Sequence, residues 1–104
     1  LHIAADLGTA ECVALLLKHG ARPDIHDPSG FTPIIIASRK GHVDIVKQLI
    51  AVGCNVNKPT FRVRASALHW AATNGHYRTV QELVNAGANI EDRTCHQRTP
   101  LMLA

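Results

Sequence analysis

The sequence predicts an all-α solenoid in which helix–turn–helix units stack in a line and loops or β-hairpins protrude to one side. Three observations in one register carry that prediction. Leu1, Ile34, Leu68 and Leu101 open similar stretches spaced 33, 34 and 33 residues apart. Two glycine series, Gly8, Gly41 and Gly75 and then Gly20, Gly53 and Gly87, recur at spacings of 33 and 34. Between the glycines the same apolar pattern returns: Val13-x-x-Leu16-Leu17, Val46-x-x-Leu49-Ile50 and Val80-x-x-Leu83-Val84. Self-similarity at a fixed period of this length is the signature of a repeat architecture.

Each landmark has a physical reason. Thr32-Pro33 and Thr99-Pro100 read as helix starts, since a Thr hydroxyl caps a free N–H and Pro at the first helical position gives up no hydrogen bond. The glycines mark helix ends, where a left-handed residue is needed and Gly adopts it at least cost. Between Gly41 and Gly53 there is room for a helix of two to three turns, with Val46, Leu49 and Ile50 on one face and Asp44 and Lys47 pointing away. Asp44 sits near the start of that helix, at the positive end of its dipole. Thr32 to Lys40 forms a second, shorter helix. The loop Ile25-His26-Asp27-Pro28-Ser29-Gly30 has the composition of a tight turn. A two-helix unit cannot cover its own apolar face, so the units must stack.

At this point the residues resemble a known family. Asp27-x-x-Gly30-x-Thr32-Pro33-Ile34 is similar to the opening of an ankyrin repeat. Leu68-His69-Trp70-Ala71-Ala72-x-x-Gly75-His76 resembles its first helix and turn, and Val80-x-x-Leu83-Val84-x-x-Gly87-Ala88-Asn89-Ile90 its second helix and exit. The resemblance covers essentially all 104 residues, as one array with units at about 1–31, 32–65, 66–98 and 99–104. It departs from the family pattern where Ile35 and Met102 replace the usual His and where Ser66-Ala67 replaces Thr-Pro. The loop Lys58-Pro59-Thr60-Phe61-Arg62-Val63-Arg64-Ala65 also carries one extra residue, which puts its hairpin shape in doubt. The chain opens after a missing Thr-Pro and stops inside a unit, so flanking ankyrin repeats are expected in a parent chain.

Composition agrees and excludes several function classes. The hydrophobic fraction of 46% is too high for a disordered chain. With one Trp, one Tyr and two Phe, the core must be built from Ala, Leu, Ile and Val, which suits thin helical layers. Three cysteines cannot all pair within the chain and none lies in a C-x-x-C arrangement, so reduced thiols and a cytoplasmic or nuclear location are expected. No apolar run is long enough to cross a membrane, no signal-peptide pattern is present, and no membrane contact is expected from this segment. The formal charge of +3 and the pI near 9.0 permit an acidic partner without demanding nucleic acid.

Seven histidines invite a metal or nucleophile reading, and each has a plainer one. Within the resemblance, His2 and His69 occupy the position whose imidazole bonds loop backbone and ties neighbouring repeats. His42 and His76 follow turn glycines and are assigned similar structural work. His26 and His96 lie in loops two units apart, and the repeat spacing of about 10 Å that the resemblance implies cannot bring them to one ion at about 2.1 Å. Cys12 and His19 are seven residues apart on one helix, about 10.5 Å along its axis, too far for a catalytic pair. Cys54 reads as a buried inert thiol. No phosphate-binding, zinc-protease or nucleophile-elbow motif is present. The expectation is therefore no enzyme, no catalytic residue, no metal and no cofactor.

The resemblance implies a partner-binding face made of loop tips and the exposed positions of each unit's first helix. Carried onto this chain, the candidate partner-binding residues are His26, Phe31, Arg39, Lys40, Phe61, Arg62, Arg64, Trp70, Thr73, Asn74, His96 and Arg98. Five of the eleven cations fall in this set, whereas the second helices carry balanced pairs, Asp44 with Lys47 and Arg78 with Glu82. Aromatic and Arg side chains dominate binding hot spots, so the leading expectation is a protein-interaction scaffold that takes an acidic, or mixed apolar and acidic, protein segment. Nucleic acid or another polyanion on the same arginines is the alternative, and a mechanical spacer within a larger channel or scaffold protein is a third reading. Finally, Leu49 to Asn57 resembles repeats that an asparaginyl hydroxylase modifies, with a Leu eight residues before the target. That makes Asn57 a candidate for hydroxylation, beside its plain reading as an amide bridging adjacent loops.

Overall fold

The computed structural model describes residues 2–61 and 64–88. Six helices follow in order: α1 His2–Leu7, α2 Ala10–Lys18, α3 Pro33–Lys40, α4 Val43–Ala51, α5 Ala67–Thr73 and α6 Tyr77–Asn85. They form three hairpin pairs, and no strand occurs among the described residues. The expected opening helix at 99–104 and the loop before it lie outside the described residues.

Turns of two or three residues join the helices of each pair, which forces them antiparallel. Like stacks on like. The shorter helices α1, α3 and α5 form an inner layer and α2, α4 and α6 an outer one. The core between the layers is aliphatic, with Ala5, Val13, Ile35, Ala37, Val46, Leu49, Ala71 and Leu83 fully buried. Leu16 is 38% exposed although its equivalents Leu49 and Leu83 are fully buried.

Polar ties join one unit to the next in a repeating geometry. At the turn end, His42 Nε2 lies 3.3 Å from Asp6 O, and His76 Nε2 lies 3.1 Å from Arg39 O. In each case the imidazole of one unit caps a carbonyl of the unit before it. The ring fits because it lies against a turn glycine: a Cβ on Gly41 would stand 2.7 Å from His76 Nδ1. At the loop end, His2 Nε2 meets Phe31 O at 2.8 Å.

The second loop breaks this pattern, and the reason is local. In the first loop Asp27 Oδ1 accepts the N–H groups of Ser29 and Phe31, and Asp27 N–H donates to Phe31 O. In the second loop Thr60 stands in Asp27's place. Its hydroxyl accepts from Ala65 N–H and its own N–H donates to Ala65 O. Ala65 O is the equivalent of Phe31 O, but Ile35 offers no imidazole to reach it. The extra residue is absorbed on this longer path, where Arg64 takes a left-handed φ of 56°.

Ile35 also explains a failed cap. Thr32 makes no side-chain cap bond, and its buried hydroxyl has no partner. This corrects the reading of Thr32 as a hydroxyl cap. At the matching place in the third unit, Ser66 Oγ lies 3.0 Å from His69 Nδ1, which also accepts Ser66 N–H at 3.1 Å. Three residues after Thr32 the imidazole is absent, so the hydroxyl is left alone.

Candidate functional site

The candidate site lies along the inner helices and the loop tips, on the side away from the outer layer. Its centre is built from three elements. Phe31 ends the first long loop, Arg39 occupies the last turn of α3, and Trp70 lies on α5. The Phe31 and Trp70 rings approach to 5.5 Å between centroids. The Arg39 guanidinium carbon lies 5.1 Å from the Phe31 centroid and 6.0 Å from that of Trp70, within the range of cation–π attraction. All three side chains are half-buried.

The backbone beneath Arg39 is held firmly. Its carbonyl accepts from Asn74 Nδ2 at 3.2 Å and lies 3.1 Å from His76 Nε2. The Asn74 amide also reaches Trp70 O at 3.1 Å, and Thr73 Oγ1 donates to His69 O. Asn74 and Thr73, expected as partner contacts, thus spend hydrogen bonds on the scaffold while remaining exposed. Trp70 Nε1 is buried without a partner, so the exposed part of this indole is hydrocarbon.

The cations expected on this face are not equivalent. Lys40 Nζ lies 3.7 Å from Asp6 on the preceding inner helix, so its charge is partly met within the chain. Arg39 has no acidic partner among the described residues. Arg64 is exposed. On the outer layer the expected pairs of Asp44 with Lys47 and Arg78 with Glu82 do not form. Lys47 instead meets Glu82 of the next unit at 3.8 Å, because stacking brings α6 beside α4 and offers an acid across the seam.

The loop tips contribute a second cluster. Phe61 N–H donates to Ser29 O at 3.1 Å, and the ring lies against Gly30, where a Cβ would stand 2.7 Å from it. His26 meets Phe61 edge-on at 5.0 Å. Phe61 is nonetheless 53% exposed, so one part of the ring ties the two loops and the rest faces solvent. The backbone N–H of Phe31, helped by that of Ser29, holds the Asp27 carboxyl below the usual carboxylate range. Arg62, His96 and Arg98 lie outside the described residues.

Asn57 is half-buried and donates through Nδ2 to Gly87 O at 3.3 Å, while its own N–H bonds Asn55 Oδ1. It is an amide bridge between successive unit exits. Nearby, burial and the negative charge of Asp24 push the Cys54 thiol up to about 11, as suits an inert thiol. Among the described residues no three His, Cys, Asp or Glu side chains converge as a metal cluster would, and no helix is long and apolar enough to cross a membrane.

Sequence comparison places this geometry. The family model for ankyrin repeats, in three copies, matches residues 1–60 and 61–104. The chain belongs to the ankyrin-repeat family. It is 41% identical over 78 residues to the E3 ubiquitin-protein ligase XBAT33 of Arabidopsis thaliana, covering 75% of this chain and 15% of the relative. It is 40% identical over 105 residues to a B-cell lymphoma 3 protein homolog of Mus musculus, covering 100% of this chain and 23% of that protein. Protein phosphatase 1 regulatory subunit 27 of Homo sapiens is 47% identical over 57 residues, 53% of this chain and 36% of that one. The chain thus spans only a minor part of the length of each of these relatives. Ankyrin repeats are in general protein-interaction modules, and the relatives' names span a ligase, a phosphatase subunit and a lymphoma protein. The shared repeats therefore do not choose one activity.

Proposed function

We propose that this ankyrin array binds a protein partner on its inner-helix and loop face, and that the partner segment there is acidic or mixes acidic and apolar residues. The observation that supports this most is the convergence of Phe31, Arg39 and Trp70 from three successive units onto one half-buried surface. The seam beside that surface is also tied by His76 and Asn74. The convergence leaves at solvent aromatic carbon and an Arg that has no acidic partner among the described residues, the residue types that carry interface energy. Phosphate-backbone binding needs several free cations together. The Lys40 charge lies against Asp6 and that of Arg39 over rings, which favours the protein reading.

The test is affinity capture with the native chain and with a variant carrying Glu at positions 39, 40, 62 and 64. Capture is expected to be lost in that variant while its thermal unfolding stays cooperative. Reversal of Lys47 and Arg78 on the outer layer should leave capture intact. Equal behaviour of the two variants would refute the assignment of the inner face. A steep linear fall of log affinity with log salt would instead assign the arginines to nucleic acid.

A further inference from the structure

We infer that Arg39 is the specificity-determining residue of this face, and that it receives a single carboxylate whose apolar sequence neighbour rests on the carbon surface of Trp70 and Phe31. The inference rests on the inner-face reading above and narrows it from a basic surface to one receptor. Of the cations assigned to that face by sequence, three are described, and the structure separates them. Lys40 is paired with Asp6 at 3.7 Å. Arg64 stands on the rewired loop at a left-handed φ of 56°, with no ring stacked on it and no carboxylate paired with it among the described residues. Arg39 alone is stacked, over Phe31 at 5.1 Å and within 6.0 Å of Trp70.

Stacking matters because it leaves the in-plane N–H fork of a guanidinium free. Rings attract its flat face, and the edge donors that match a carboxylate stay available. The arrangement also removes part of the ordering cost that a long flexible side chain meets on binding. The carbonyl of Arg39 is pinned by Asn74 and lies within bonding distance of His76, so the receptor is held from both ends. Beside it, Trp70 turns its only donor inward, where Nε1 is buried without a partner. A surface indole that hides its N–H offers apolar contact and no hydrogen bond. The complementary ligand is thus an Asp or Glu next to a Leu, Ile, Met or aromatic residue in a peptide segment.

The experiment is selection of a random-peptide phage library on the native chain, followed by affinity measurement with synthetic peptides of the selected sequence. Native selections should enrich an acidic residue beside an apolar one. Changing that acid to its amide should weaken binding about ten- to hundredfold, as loss of a charged hydrogen-bond partner does. Arg39→Gln should weaken the parent peptide by a similar factor and be indifferent to the amide change. Arg39→Glu, reselected, should enrich Lys or Arg at the same place, a reversal that a merely structural role for Arg39 does not produce. Lys47→Gln should bind like the native chain. If the acidic preference survives in Arg39→Gln and disappears in Arg64→Gln, the receptor is misassigned while the inner face stands. If no acidic peptide is enriched, the receptor is refuted. If selected peptides ignore every inner-face substitution, the inner-face reading falls with it.

Discussion

Gly41→Ala should destabilise this array more than Gly53→Ala, although both glycines occupy the same backbone region. Gly41 has φ 77° and Gly53 has φ 83°. An L-residue in the left-handed region costs about 1–2 kcal/mol, and that cost is common to the two. What differs is the neighbour. A Cβ at Gly53 meets nothing within 4 Å, whereas at Gly41 it would stand 2.7 Å from His76 Nδ1 and 2.8 Å from its Cε1. The ring must swing away and give up its 3.1 Å contact with Arg39 O, a net loss of about 1 kcal/mol for a typical hydrogen bond. Displaced packing adds to that, so Gly41→Ala should cost about 2–4 kcal/mol against about 1–2 for Gly53→Ala. At about 4–8 °C per kcal/mol for a small domain, the gap is visible in a thermal melt followed by circular dichroism. The cause is isolated by a double-mutant cycle. His76→Ala removes the ring, so the Gly41→Ala penalty in that background should fall towards that of Gly53→Ala. Equal costs for the two glycine variants, or an additive cycle, would refute the idea that the imidazole of one unit is seated on the turn of the one before it.

The thiols and Asn57 provide two further tests. Cys12 is exposed and Cys54 is pushed up to about 11, so iodoacetamide at mildly alkaline pH should label Cys12 well before Cys54 in the folded chain. Because the folded thiol of Cys54 holds its proton more tightly than the ordinary value of 9.0, its contribution to stability should be full below pH 9 and decline as pH rises towards 11. Serine at position 54 should remove that alkaline decline in an unfolding-midpoint series. For Asn57 we propose β-hydroxylation where an asparaginyl hydroxylase is present. Peptide mass spectrometry after co-incubation should show a gain of one oxygen, absent in Asn57→Ala, and an unmodified Asn57 beside a modified control repeat ends the proposal.

The sequence by itself determined the units and their internal order. Helix spacing, turn glycines and the Val-x-x-Leu pattern are short-range properties, set by backbone conformation and by which face of a helix is apolar. They sufficed to place Val46 and Leu49 in the core, whereas the placing of Arg39 and Phe31 on the inner side came from the family resemblance. Contacts between units were decided only by the tertiary structure, because their partners lie about one repeat apart and depend on side-chain reach. Lys47 reads as the partner of Asp44 along one helix, yet stacking sets Glu82 beside it. Lys40 reads as a free cation until α1 brings Asp6 to it. Ile35 was visible as a departure from the family pattern. Its consequences, an orphaned Thr32 hydroxyl and a loop closed by Thr60 in place of an imidazole, required the fold. Trp70 is the clearest case. Its position on the inner helix followed from the register, but which edge of the indole faces solvent depended on how Phe31, Arg39 and Asn74 pack around it. That orientation sets an apolar shelf beside the stacked guanidinium of Arg39.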